Sequence, residues 1–181
     1  DIAGTSTLLL SGSGRLAGVG SNLYAGRFNI ASGARLNINS TSKQEWGGVV
    51  TGSGAINVNK GAVELYANSS FSGQTTIASG ASLQLGGGGS TGAIRGNIQV
   101  DAGGVLRYYS GNTHTTVTNT ISGAGTLQLK GLGTRQTGSY TFGLASTFTG
   151  STEVQYGARL LLTHPQGVGS NGTIKVQNGG T

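Results

Sequence analysis

Phe71-Ser-Gly-Gln-Thr-Thr-Ile-Ala-Ser-Gly-Ala-Ser-Leu-Gln-Leu85 is a 15-residue phrase that occurs twice more in this chain. The other copies are Tyr24-Ala-Gly-Arg-Phe-Asn-Ile-Ala-Ser-Gly-Ala-Arg-Leu-Asn-Ile38 and Phe148-Thr-Gly-Ser-Thr-Glu-Val-Gln-Tyr-Gly-Ala-Arg-Leu-Leu-Leu162. A strand–glycine–strand unit that recurs in this way buries its apolar face on its neighbours, so the chain reads as a stack of repeats. Function is then expected on the surface of a rod, not in a central pocket.

A second phrase precedes the first each time: Leu10-Ser-Gly-Ser-Gly-Arg-Leu16, Val50-Thr-Gly-Ser-Gly-Ala-Ile56 and Ile121-Ser-Gly-Ala-Gly-Thr-Leu127. The third residue of the longer phrase is Gly26, Gly73 and Gly150 in turn. Two and then three turns of about 23 to 26 residues account for the spacing of these glycines. The chain then makes seven or eight turns, and at roughly 4.8 Å per turn the column is about 35 Å tall.

Strand character comes from alternation with a period of two. Ile56/Val58, Leu83/Leu85, Ile98/Val100, Leu127/Leu129 and Leu160/Leu162 point one way; Asn57, Gln84, Gln99, Gln128 and Leu161 point the other. Leu161 is the one apolar residue in the outward set. With Ile77, the inward residues are expected to fill one interior column. No window has helical spacing with a cap at each end. Glycine beside small residues at the strand boundaries (Gly33, Gly80, Gly103-Gly104, Gly157) supplies the positive φ and close approach of a repeated corner.

The copies differ by insertion: the stretch from the Ser-Gly-x-Gly glycine to the phrase glycine lengthens from Gly12–Gly26 to Gly52–Gly73 and again to Gly123–Gly150. Loops absorb length at little cost and often carry function. Segments 41–48, 86–96, 109–120 and 130–146 are therefore the expected loops and contact regions.

Composition narrows the class. Thirty-six glycines with one proline and no three-residue period exclude collagen, and 35% apolar content in regular pairs argues against disorder. Cysteine and methionine are absent, so repetition, not disulfides or a thiolate metal site, must hold the fold. No apolar run reaches the roughly 18 to 20 residues that span a bilayer, and no membrane insertion is expected of this piece. The 181 residues read as a single domain. Asp1 opens the chain, and Ile174-Lys-Val-Gln-Asn-Gly-Gly180 stops at Thr181 where its partner from Ile98 runs on, so a truncated segment of a longer rod is expected.

The succession Trp46-Gly-Gly-Val-Val-Thr-Gly-Ser-Gly-Ala-Ile56, Lys60-Gly-Ala-Val-Glu-Leu65, Phe71 to Ile77 and Ser79-Gly-Ala-Ser-Leu83 resembles the passenger-associated repeat of bacterial autotransporters. Nearly the whole chain follows the pattern, in phrases near 10–38, 50–85 and 121–162. The third copy departs from it, since 132–144 replaces a short apolar strand with a longer polar stretch. The resemblance implies an all-β, right-handed, single-stranded parallel β-helix. It also implies export through an outer-membrane barrel outside these residues, for display on the bacterial surface or release. Lack of cysteine independently suits passage through a narrow pore.

Chemistry is sparse. The acids are Asp1, Glu45, Glu64, Asp101 and Glu153, and only Glu45 and Glu64 are separated by the length of one turn. Paired carboxylates of glycosidases and the acidic cages of calcium sites are not spelled out. His114 and His164 stand apart in polar stretches with no ligand set around them. Gly88-Gly-Ser-Thr-Gly92 matches a nucleophile elbow, and Gly87 to Gly92 a dinucleotide fingerprint, but no helix follows either. Asn39, Asn68 and Asn171 open glycosylation-type triplets, which chance accounts for in so Asn/Ser/Thr-rich a chain.

Net charge is +6, with basic residues spread along the chain. Arg35 and Arg159 share one phrase slot, so a coil could align bases on one face and favour anionic glycans. Aromatics interleaved with bases are lacking except at Arg107-Tyr-Tyr109, which argues against nucleic acid. Tyr108, Tyr109, Lys130, Arg135 and Trp46 are the partner-binding candidates. Alternation puts one tyrosine outward, and Trp46 suits a corner-packing role as well as an exposed anchor.

The expected function is non-enzymatic: adhesion to host cells or cell–cell aggregation as a virulence factor, with no cofactor. The partner is a host surface protein, an anionic glycan or a second rod. Two alternatives remain open: a secreted effector that engages one receptor through a loop, and the spine of an enzyme whose catalytic domain lies elsewhere.

Overall fold

The computed structural model describes residues 1–17, 23–89, 92–111, 113–133, 138–177 and 179–181, and among them the chain is all β with no helix. The strands lie on three faces of one parallel β-solenoid. The first face stacks β1 (Thr7–Gly12), β4 (Arg35–Ser40), β7 (Ala55–Val58), β9 (Gln74–Ile77), β11 (Ile98–Val100), β14 (Ile121–Gly123) and β17 (Thr147–Phe148). The second stacks β2 (Leu23–Tyr24), β5 (Gln44–Trp46), β8 (Ala62–Leu65), β10 (Ser82–Gly88), β12 (Val105–Ser110), β15 (Thr126–Lys130), β18 (Ser151–Val154) and β20 (Thr173–Val176). The third face has a lower sheet of β3 (Phe28–Ile30) and β6 (Val50–Gly52), and an upper one of β13 (His114–Val117), β16 (Gly138–Phe142) and β19 (Ala158–Leu162).

Each phrase is one strand, one corner and one strand. Slots 5 and 7 point inward (Phe28/Ile30, Thr75/Ile77, Thr152/Val154), and all six side chains are buried. The corner closes the same way in every copy: Ala34 N–H donates to Ala31 O, Ala81 to Ala78, and Ala158 to Gln155, at 2.9 to 3.1 Å. Gly33, Gly80 and Gly157 take φ of 83°, 76° and 72° at its third residue, where L side chains are strained. The slot-3 glycine has a separate duty: a Cβ at Gly73 would sit 1.8 Å from Gly54 O, and one at Gly150 would sit 1.9 Å from Gly125 O. Two turns touch backbone to backbone there.

The phrase does not return to the same face. Its first copy runs from the third face to the first (β3, β4), its second from first to second (β9, β10), and its third from second to third (β18, β19). Turns also differ in length, since Thr7 lies against Arg35 but Ala55 already lies against Gln74. The intervals from Gly26 to Gly73 and from Gly73 to Gly150 are thus two and three turns plus one further face, not whole turns. One phrase serves three faces because the corner and its inward pairs are the same on each. Arg35 and Arg159 consequently lie on different faces, in β4 and β19, and are not aligned.

The interior is continuous. Ile77, Leu83, Leu85, Ile98, Val100, Leu127 and Leu129 are buried as expected. Leu160 only packs against this core, and Leu162 is 44% exposed, because β19 pairs with β16 on one side and no described strand lies over it. The expected loops also prove more regular than their polarity suggests, since 41–48 contains β5, 109–120 contains β13 and 130–146 contains β16. The third copy therefore keeps a regular turn. Tyr140 and Phe142 of β16 are buried, and the Tyr140 hydroxyl accepts from Ser110 N–H at 2.7 Å and hydrogen-bonds Lys130 O.

The two glycine duties predict different costs. Gly80→Ala meets nothing within 4 Å and bears only the left-handed backbone penalty, about 1 to 2 kcal/mol. Gly73→Ala drives a methyl into Gly54 O and should cost about 4 kcal/mol or more. Urea unfolding of both variants checks the ranking.

Candidate functional site

The outward residues of the second face form one ladder, with Glu45 on Glu64, then Gln84, Arg107, Gln128, Glu153 and Lys175 in successive turns. The pleat puts same-phase side chains about 4.8 Å apart on one side of a sheet. Arg107 donates to Gln84 Oε1 at 3.2 Å and to Gln128 Oε1 at 2.8 Å, and Gln128 Nε2 donates to Glu153 Oε2 at 3.0 Å. A similar amide ladder runs on the first face: Asn57 donates to Asn37 and Asn59 to Asn39, each at 2.7 Å.

At the lower end of the second-face ladder the two carboxylates one turn apart do meet. Arg15 pairs with Glu45; Lys43 Nζ lies 3.0 Å from Glu45 and 3.6 Å from Glu64; and the Tyr66 hydroxyl donates to Glu64 and, at 3.4 Å, to Glu45. The Lys43 hydrogen bond holds the Glu45 carboxyl below its ordinary value against the opposing effect of burial, and the same bond raises Lys43. Burial first, and then Glu64, pushes the Tyr66 phenol up. General acid catalysis near neutral pH needs a carboxyl shifted the other way. This cluster is arranged as a structural ion network.

Of the five sequence-derived candidates, two lie inside. Tyr108 is 3% exposed, 6.2 Å from the rings of Tyr140 and Phe142, and its hydroxyl donates to Asn119 Oδ1 at 3.0 Å. Burial raises its pKa. Trp46 is 2% exposed and packs 5.0 Å from Phe28, in the corner role. Neither presents area to a partner. Arg135, and Ser90 and Thr91 of the Gly-x-Ser-x-Gly match, lie outside the described residues.

Tyr109 and Lys130 come together on the outside. They are register partners of β12 and β15, with Lys130 Nζ 4.7 Å from the Tyr109 ring centre, a cation–π arrangement. Leu132, 44% exposed, lies over the backbones of Gly88 and Gly111 beside Tyr109, and Tyr156, 51% exposed, reaches towards Gly133. Tyr109, Lys130, Leu132 and Tyr156 form an amphipathic patch at the corner between the second and third faces. Leu132 falls within the expected contact region 130–146, whereas Tyr156 is not among the sequence candidates, although it does signal itself: it fills the slot held by Ser32 and Ser79 in the other copies.

His114 Nε2 lies 3.1 Å from Thr141 Oγ1, and His164 Nδ1 accepts from Gln166 N–H at 3.0 Å. No cluster of three or more metal-ligating side chains occurs among the described residues. No family model matches the chain, and no curated protein or solved structure matches it either.

The ion network gives a pH prediction. Because the folded Glu45 pKa is lowered from 4.5, its contribution is full above that pH and is lost as pH falls through the folded value. Glu45→Gln should cost about 1 kcal/mol at neutral pH, typical of a partly exposed pair. Parent and variant stability should converge in acid. A constant difference down to strongly acidic pH would show that charge is not the cause.

Proposed function

We propose that this chain is a segment of an autotransporter-type passenger, displayed on or released from a bacterial surface, that acts by contact in host-cell adhesion or cell–cell aggregation. The observation that carries the reading is the patch of Tyr109, Lys130, Leu132 and Tyr156. Leu132 and Tyr156 are exposed beside Lys130 and the half-buried Tyr109, whereas the other exposed large apolar side chains, Leu144 apart, lie in strands at the ends of their sheets: Leu9, Leu23, Leu162, Ile174 and Val176. Exposed aromatics with rigid backing provide contact area at low entropic cost. The hydrogen-bonded ladders of the first and second faces support the same reading. They offer repeated donors and acceptors along the rod, where many weak contacts add up.

The receptor-specific alternative has its own support. Gly131 N–H bonds Tyr156 O at 3.3 Å and Gly138 N–H bonds Gly157 O at 2.9 Å, so both ends of 131–138 are anchored on adjacent residues. A segment fixed in this way tolerates exchange. Replacing 132–137 with a short Gly-Ser turn should leave the melting temperature within a few degrees. Host-cell binding by the purified segment should drop at least severalfold. Retained binding would move the contact to the ladders and favour rod-to-rod association, which light scattering would register.

A further inference from the structure

The third face is interrupted. Its lower part continues past β6 as Phe71 N–H bonds Val50 O and Arg95 N–H bonds Phe71 O, with Asn68 bridged to Ala93. The next turn should place β13 on 93–96 in the same way, yet no backbone hydrogen bond joins 114–118 to 92–96. Only the Asn119 side chain crosses, with its Nδ2 donating to Ile94 O at 3.0 Å and to Gly96 O at 2.6 Å. An open cleft of about 630 Å³ results, within the ~300–1,000 Å³ usual for small-ligand sites.

Its walls carry hydrogen-bonding and basic groups: Arg95 and His114, both exposed, with Asn68, Ser70, Thr116 and Thr118. Ser139 N–H bonds Thr113 O, so in the β13–β16 ladder the odd-numbered residues of β13 face β16. The N–H and C=O groups of His114, Thr116 and Thr118 therefore point into the cleft. Such a set of hydroxyls, an amide and strand-edge groups complements a polyhydroxylated ligand. Among the described residues no Phe, Tyr, Trp or acid lines it, so no broad stacking face and no metal bridging is provided, and Arg95 must supply the orienting charge.

Charge along the rod points the same way. Glu45, Glu64 and Glu153 all lie on the second-face ladder, where they offset Arg107 and Lys175, whereas the third face from β3 to β19 carries exposed Arg27, Arg95 and Arg159 and no described acid. A peptide strand added to β13 would need about two strand spacings of roughly 4.8 Å each. Asn119 holds the exit of the cleft at side-chain reach of 93–96, which disfavours that occupant. We propose that this cleft binds an acidic oligosaccharide, with a sulfate or carboxylate on Arg95 and His114 and sugar hydroxyls on Asn68, Ser70, Thr116 and Thr118. This inference rests on the reading of the rod as a surface-binding passenger.

The test is calorimetric titration of the purified 181-residue chain with a size-defined heparin oligosaccharide, and with a polyuronate oligosaccharide to tell sulfate from carboxylate. Arg95→Glu should weaken binding about tenfold or more, as loss of a charge-assisted contact does. Thr116→Trp, which fills the cleft without changing charge, should weaken it comparably. Lys175→Glu makes the same charge change on the second face and should stay within about twofold. All three sites are exposed, so unchanged melting temperatures are expected. The proposal is overturned if Lys175→Glu costs as much as Arg95→Glu, if Thr116→Trp binds like the parent, or if an acidic peptide binds more tightly than either sugar. Host-cell adhesion measured in parallel separates the two readings. Adhesion without sugar binding sinks the cleft alone, and cleft-dependent sugar binding without adhesion sinks the passenger function alone.

Discussion

In a single-layered coil the backbone N–H and C=O groups of every strand point along the column axis, so each turn can satisfy them only through the turns above and below. Everything else in this protein follows from keeping successive turns at that spacing. Inward Ile, Leu, Val and Phe side chains stack in register on their counterparts one turn away, Leu36 on Ile56 and Leu106 on Leu127. At Gly73 and Gly150 the backbones of neighbouring turns approach so closely that glycine is required. Stability therefore resides in contacts between neighbouring turns, as in repeat proteins generally, and no disulfide contributes.

The same constraint explains how one phrase fits three faces. A corner that closes with one hydrogen bond, one left-handed glycine and one buried alanine is indifferent to which vertex of the coil it occupies. What the phrase demands is an inward pair on each side, and every face of the interior accepts that.

Much of this was legible in the sequence. Alternation identified the inward residues from Ile77 to Leu129, and the corner glycines were placed where the chain bends. Two kinds of information were not local enough to read. The face each copy occupies depends on the summed lengths of intervening turns, so spacing alone suggested whole turns and an aligned Arg35 and Arg159. The third-face strands hid in polar stretches because their inward residues are few: Val117 in β13, and Tyr140 and Phe142 in β16. At the candidate site, Tyr109 and Lys130 could be found from alternation and register. Tyr108 shares the inward phase of Leu106 and Trp46 that of Gln44, and Leu132 rests on glycines far away in sequence. The charge pattern became visible only once the faces were assigned: Glu45, Glu64 and Glu153 share the second face with Arg107 and Lys175, whereas the described third-face strands from β3 to β19 carry bases alone.

The one-face advance of the phrase sets which residues share a face, and cross-linking tests it directly, because the chain has no native cysteine. Glu153 belongs beside Gln128 on the second face. If phrase copies stacked on a single face it would instead follow Thr76, Gln99 and Ser122 on the first. Cysteines at 128 and 153 should close a disulfide under mild oxidation, since parallel neighbours fall within the roughly 4.4–6.8 Å between Cα atoms that a disulfide spans, and cysteines at 122 and 153 should not. Cross-linking of the 122–153 pair with none at 128–153 would contradict the assignment of faces and the surfaces built on it.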